Sequence, residues 1–229
     1  MRHKKLTAVQ RAFVEEIRAL EERLFPDQLD DTDPSRMKSN RYSWHYRPSH
    51  HVATGLLTKS DSDDLSRSGK RLLSIGAYPA YLERVLLELG VPPENIVVAD
   101  NDPAIANSEG SMQKIVFDAH APWPDIGTFD LIIFPESLCI AVRDHIKQRA
   151  TKDVPAHADF PNDALEAELL SVIIGQALER LRPGGEIRAN GPMSHPNVIR
   201  SMSAKLGQQG RHHVVTYHRF FLLVQPQIQ

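Results

Sequence analysis

From Leu6 to Phe25 the chain sets Leu6, Val9, Phe13, Ile17, Leu20 and Leu24 at spacings of three and four, with Glu and Arg between them. This period lays one apolar stripe along a helix, so residues 6–25 are expected to form an amphipathic helix that Pro26 ends. A polar loop, Asp30 to Pro34, and a Ser/Asp-rich run, Ser60 to Ser68, flank a segment of different character. From Arg71 onward the pattern changes. Apolar runs at Arg71–Ile75, Asn95–Ala99, Lys114–Phe117, Phe129–Phe134 and Glu186–Ala189 read as strands. Helical periodicity occupies Tyr81–Leu89, Leu165–Leu181 and Asn197–Gly207, and His213–Val224 is mostly strand. Gly90 closes the first of these helices, and Arg182-Pro183-Gly184-Gly185 halts the second.

Strands alternating with helices imply parallel βαβ units, with ligands at the strands' C-terminal ends. The composition shift at Ser60–Ser68 sets the expected boundary: residues 1–65 as an N-terminal helical or cap extension, residues 66–229 as the α/β domain. The connection from Cys139 to Leu165 is long for its kind, and residues 139–165 are expected as an insertion of the lid or specificity type.

Composition narrows the function classes. The 229 residues are 41% hydrophobic and 24% charged, enough for a sizeable core. With 29 acidic against 27 basic side chains the formal charge is -2, which gives no general attraction to nucleic acid or anionic membrane. No apolar run approaches the roughly 20 residues of a membrane-spanning helix. Cys139 is the single cysteine, so no internal disulfide forms. These features suit a cytoplasmic protein. Its oligomeric state is not legible.

Candidate chemistry gathers at the expected strand ends. The first strand runs into Gly76-Ala77-Tyr78-Pro79-Ala80 and then a helix. Glycine there permits a tight turn and a close backbone approach to a ligand. Asp100 ends the second strand about 20 residues further on, where a carboxylate can accept ribose hydroxyls. Asp118 lies just past the third strand, Asp130 begins the fourth, and Glu136 lies just past it. Glu136 reads as a general base or substrate anchor, or as a solvated loop carboxylate. Histidines cluster at His45, His50 and His51 and at His212, His213 and His218. Neither group has the paired spacing of metal ligands, so no metal is expected. The aromatic and basic stretch Arg41 to His51 suits stacking on a planar substrate or single-stranded nucleic acid. It equally suits packing the N-terminal helix onto the domain.

The order Leu-Leu-Ser-Ile-Gly, Val-Val-Ala-Asp, Phe-Asp-Ala, Phe-Asp-Leu-Ile-Ile and Leu-Arg-Pro-Gly-Gly resembles that of class I S-adenosylmethionine-dependent methyltransferases, over roughly two-thirds of the chain. The resemblance implies a Rossmann-like, doubly wound, mostly parallel seven-stranded sheet with an antiparallel edge strand. It implies S-adenosylmethionine as cofactor and a small organic molecule as substrate, nucleic acid being less favoured. Gly76, Ala77 and Tyr78 would line the cofactor's methionine side. Asp100, with Asn101, would hold the ribose, and Asp118 with Ala119 the adenine. Pro135 and Glu136 would border the transferred methyl, with Glu136 the catalytic candidate. The sequence departs from the family where Tyr78 and Ala80 replace glycines. The Tyr78 ring would either fill the volume of the methionine tail or swing outward and cover it. The first case leads to the alternative function, a non-catalytic methyltransferase-like binding or scaffold protein.

Overall fold

The computed structural model describes residues 6–26, 47–138, 141–142, 145–146, 163–191, 194–218 and 221–227. Residues 41–46 of the aromatic segment, Cys139 and most of the 139–165 insertion lie outside that set.

Helix α1 (Ala8–Leu24) begins where the Thr7 side chain accepts the Gln10 N–H, and its apolar stripe buries Phe13, Val14 and Ile17. Helix α2 (Pro48–Ala53) starts on a proline, whose fixed φ suits the first turn. The Ser/Asp-rich run, expected as a boundary, is instead the helix α3 (Lys59–Arg67). Thr58 and Asp61 cap its start reciprocally, and it turns only Ser62 and Leu65 fully inward. One large apolar residue gives too little periodicity to announce a helix.

The α/β part then unfolds in order as β1 (Leu72–Ile75), α4 (Tyr81–Glu88), β2 (Ile96–Asp100), β3 (Gln113–Val116) and β4 (Phe129–Phe134). It continues through α5 (Asp163–Glu179), β5 (Leu181–Asn190), α6 (Pro196–Gln208), β6 (His213–His218) and β7 (Phe221–Pro226). The seven strands form one sheet in the order β3-β2-β1-β4-β5-β7-β6. Strands β1 to β5 pair in parallel, and β7 runs antiparallel to both β5 and β6. The Leu-Arg-Pro-Gly-Gly stretch, expected as a turn, lies within β5. Register passes from Phe129 opposite Leu181 to Leu131 opposite Glu186, so Arg182–Gly185 bulge out between paired residues. Among the described residues no helix is long and apolar enough to cross a membrane.

Strand side chains alternate between two cores, as the period of two requires. Leu73, Val97 and Ile132 face α5 and α6, meeting Leu170, Ile173 and Met202. Leu72, Val98 and Ile133 face the other way, meeting Phe13, Ile17, Leu65 and Leu86. The N-terminal helices therefore complete one face of the sheet. Arg188 of β5 fastens them there. Its guanidinium donates to both Asp61 carboxylate oxygens, at 2.6 and 3.1 Å, and also pairs with Glu186. The fork is largely buried, and breaking one side of such a pair costs about 3–5 kcal/mol.

Phe13, Ile17, Phe25 and Leu65 are each at most 1% exposed. At about 1.5–3 kcal/mol per buried side chain they contribute roughly 6–12 kcal/mol as an upper bound, comparable to a whole domain's net stability. Removing residues 1–65 is therefore expected to abolish cooperative thermal unfolding, read by circular dichroism. A truncated chain that melts cooperatively near the full-length Tm would make the segment a dispensable extension.

Candidate functional site

Polar side chains gather where β1, β2, β4 and β5 end. At the end of β1, Gly76 donates its N–H to the Ala99 carbonyl at 2.8 Å and turns the chain at φ 72°. A Cβ on Gly76 would lie 2.2 Å from the Ser137 Cβ, and Ser137 Oγ donates to the Ile75 carbonyl at 2.7 Å. Only glycine fits between these two strand ends. The loop continues through Ala77 and a cis Tyr78–Pro79 peptide to Ala80, which holds φ 67° and caps α4. Asp100, at the end of β2, pins the loop: Oδ2 accepts the Tyr78 N–H at 3.0 Å, and Oδ1 accepts the Asp102 N–H at 2.9 Å. Tyr78 is 40% exposed.

At the end of β4, Pro135 leads into Glu136, which is 7% exposed and holds φ 53°. A left-handed glutamate costs about 1–2 kcal/mol and persists only when its surroundings fix it. Asn190, ending β5, supplies part of that fixing by accepting the Glu136 N–H at 3.0 Å. The same amide donates to His51 Nδ1 at 3.1 Å and Thr54 Oγ1 at 2.8 Å on the α2 side. His50, next along α2, brings Nε2 to 2.8 Å from Glu136 Oε1. The helix bearing both histidines is itself anchored from α1, where the buried Glu21 carboxylate accepts the Ser49 N–H at 2.5 Å. Burial raises the Glu21 carboxyl above its ordinary range, against the opposing hydrogen bonds from Ser49.

Of the expected site residues, Gly76, Ala77, Tyr78 and Pro135 line one cavity together with His51 and Glu83. Asp100 and Asn101 stand at its β2 side, Asn101 exposed. Asp118 and Ala119 follow β3, where Asp118 Oδ1 accepts the His120 backbone N–H at 2.9 Å. Partial burial works to raise the Asp118 carboxyl, but hydrogen bonds from the His120 backbone and ring hold it below the usual range. The Ala119 carbonyl accepts from Trp123 Nε1 at 3.0 Å and Gln176 Nε2 at 3.3 Å. Asp130 sits at the opposite end of β4, accepting from the Arg71 N–H and the Arg182 guanidinium. Of the second histidine group, His213 is committed to Ser203 and the Arg211 carbonyl.

Participants not singled out from the sequence include Asn190, Thr54, Ser137 and Glu83. Asn190 carried a usable signal, a polar residue closing a buried strand just before a glycine.

The chain resembles the S-adenosylmethionine-bound amino pentose methyltransferase CalS10 from Micromonospora echinaspora, with a TM-score of 0.50 at 10% identity over 99% of this chain and 100% of that one. The chain has the class I methyltransferase fold. Two further solved structures are similar. A TehB-like methyltransferase from Corynebacterium glutamicum gives 0.49 at 11% identity, over 86% of this chain and all of its own. The magnesium protoporphyrin IX methyltransferase ChlM from Synechocystis gives 0.47 at 10%, over 99% and 100%. No family model matches the sequence, and no curated protein matches it.

One acidic group within this methyltransferase fold sets a pH dependence. Glu83 is 1% exposed, and its Oε1 has no hydrogen-bond partner among the described residues. Burial pushes its carboxyl from 4.5 up to about 7, with Ser74 opposing. Between those values the unfolded chain releases the proton while the folded chain keeps it, so stability falls as pH rises. The full loss, above about pH 7, is on the order of 3 kcal/mol. Glu83→Gln removes the titrating group. It is expected to raise Tm by several degrees at about pH 8 and to change it little at about pH 4. Equal shifts at both pH values would show that Glu83 does not titrate in this way.

Proposed function

We propose that this chain is an S-adenosylmethionine-dependent methyltransferase acting on a small organic molecule. The observation that carries the reading is the buried Glu136 carboxylate held against His50 at 2.8 Å, beside the loop that follows β1. The fold it shares with CalS10 supports the cofactor. The residues present suit that cofactor. A carboxylate has about four lone-pair sites, and the two backbone N–H groups on Asp100 leave capacity for ribose hydroxyls. Gly76, Ala77 and Tyr78 would border the methionine tail, Asn101 would flank the ribose, and Asp118 with Ala119 would face the adenine. When bound, the cofactor supplies an electrophilic methyl group.

The protein's own part is alignment, exclusion of water and movement of a proton. An oxygen or nitrogen acceptor that loses a proton on methylation can pass it to the hydrogen-bonded His50–Glu136 pair. Glu136 orients the imidazole and balances the charge it gains, and Asn190 keeps Glu136 in place. Pro135 and Glu136 would border the reacting methyl.

Calorimetric titration with S-adenosylmethionine and its demethylated product tests the reading. Wild type is expected to bind both. Asp100→Ala is expected to lose one or two charge-assisted hydrogen bonds, about 1.5–3 kcal/mol each, and so at least tenfold in affinity. Glu136→Gln is expected to keep cofactor affinity and slow methyl transfer across a panel of small amines, alcohols and acids. Absence of cofactor binding by wild type would sink the enzyme reading in favour of a non-catalytic scaffold.

A further inference from the structure

Outside the His50–Glu136 pair, the protein brings two imidazoles and a carboxylate together. Asp118 and His120 come from the loop after β3, and His145 from the connection after β4. One ligand atom from each lies within 4.8 Å of the others. The two imidazole rings stack with centroids 4.2 Å apart and planes 19° apart. His120 Nδ1 is 3.0 Å from Asp118 Oδ1, and the His120 side chain is only 9% exposed. Its other nitrogen, Nε2, is buried and has no hydrogen-bond partner among the described residues.

We propose that Asp118, His120 and His145 bind a divalent transition-metal ion of the zinc type. The donor set decides the class. Two imidazole nitrogens and one carboxylate oxygen suit zinc, cobalt or nickel, whereas magnesium and calcium favour oxygen donors throughout. Three protein ligands leave one tetrahedral position for water or another donor. Burial explains why a metal is the fitting occupant. An unsatisfied imidazole nitrogen is costly when water is excluded, and coordination satisfies it.

Tetrahedral zinc with ligands at about 2.0–2.1 Å sets donor atoms roughly 3.3 Å apart, so the donor atoms must draw in by about 1.5 Å or less. An imidazole lone pair lies in its ring plane, so at least one of the two stacked rings must also turn out of the stack to face the ion. Rotation about the side-chain torsions supplies such a movement. The ion would then tie the loop after β3 to the connection after β4. These elements come from distant parts of the sequence, so no short ligand motif announces the site.

Calorimetric titration of tag-free, chelator-treated full-length protein with zinc chloride tests this, with no nucleoside cofactor present. The outcome is thus independent of the methyltransferase reading. Wild type is expected to bind one zinc ion, and magnesium chloride is expected to give no heat at that site. His120→Ala and His145→Ala should each weaken zinc binding at least tenfold, whereas His213→Ala should leave it unchanged. His120→Gln serves if the alanine variant does not fold, since it keeps a polar side chain of similar bulk. A cobalt-loaded sample should show the intense visible absorption of four-coordinate cobalt, lost in the His145 variant. No zinc binding by wild type, or wild-type affinity in the His120 and His145 variants, would overturn the proposal.

Discussion

The side-chain amide of Asn190 holds the candidate site together. It is 1% exposed at the end of β5, where an unpaired amide would cost more than a hydrogen bond returns. Its oxygen takes the Glu136 N–H, and its nitrogen donates to His51 and Thr54. One residue therefore fixes the backbone after β4 and docks α2 over the same edge of the sheet. The neighbouring Gly191 shows how tight this junction is. A Cβ there would lie 3.0 Å from the Glu136 Cα, with φ already at 103°. Glu136 keeps its left-handed conformation because the end of β5 leaves it little alternative.

This arrangement makes the N-terminal helices part of the site's construction. Glu21 of α1 anchors the start of α2, and α2 delivers His50 to Glu136. Asp61 of α3 meets Arg188 of β5, two residues before Asn190. Packing against the sheet, the buried ion pair and the site contacts all place these helices in the same position. Mutual support of this kind gives a defined arrangement despite the short lengths of α2 and α3.

The sheet was legible in the sequence because buried strands and amphipathic helices write local periodicities. Strands β1 to β5 and helices α1, α4, α5 and α6 all appear close to where hydrophobic spacing puts them. Helix α3 was hidden by its polar composition, and the bulge in β5 by a Pro-Gly-Gly sequence that also suits a turn. The expected strand-end residues Gly76, Tyr78 and Asp100 do come together. The His50–Glu136 and His51–Asn190 contacts could not be read the same way. Their partners stand 86 and 139 residues apart, and no local pattern encodes such a meeting. Sequence offers Glu136 and a histidine of the 45–51 segment as alternative bases; folding puts His50 and Glu136 in one hydrogen bond.

The departures in the glycine loop acquire a physical meaning from Asp100. A loop with glycines at 78 and 80 could reach its turn through backbone freedom alone. Here Ala80 adopts φ 67° and buries its methyl completely, while Tyr78 faces solvent in part. The carboxylate of Asp100 offsets some of that conformational cost by accepting the Tyr78 N–H. Loop shape thus depends on a charged group from the neighbouring strand. That group is also the one proposed to hold the ribose. A ligand that engages Asp100 therefore acts on the loop as well, through the shared carboxylate. In this chain the first and second strand ends are coupled through one carboxylate, with Asp100 taking over part of the shaping role that glycines at 78 and 80 would have.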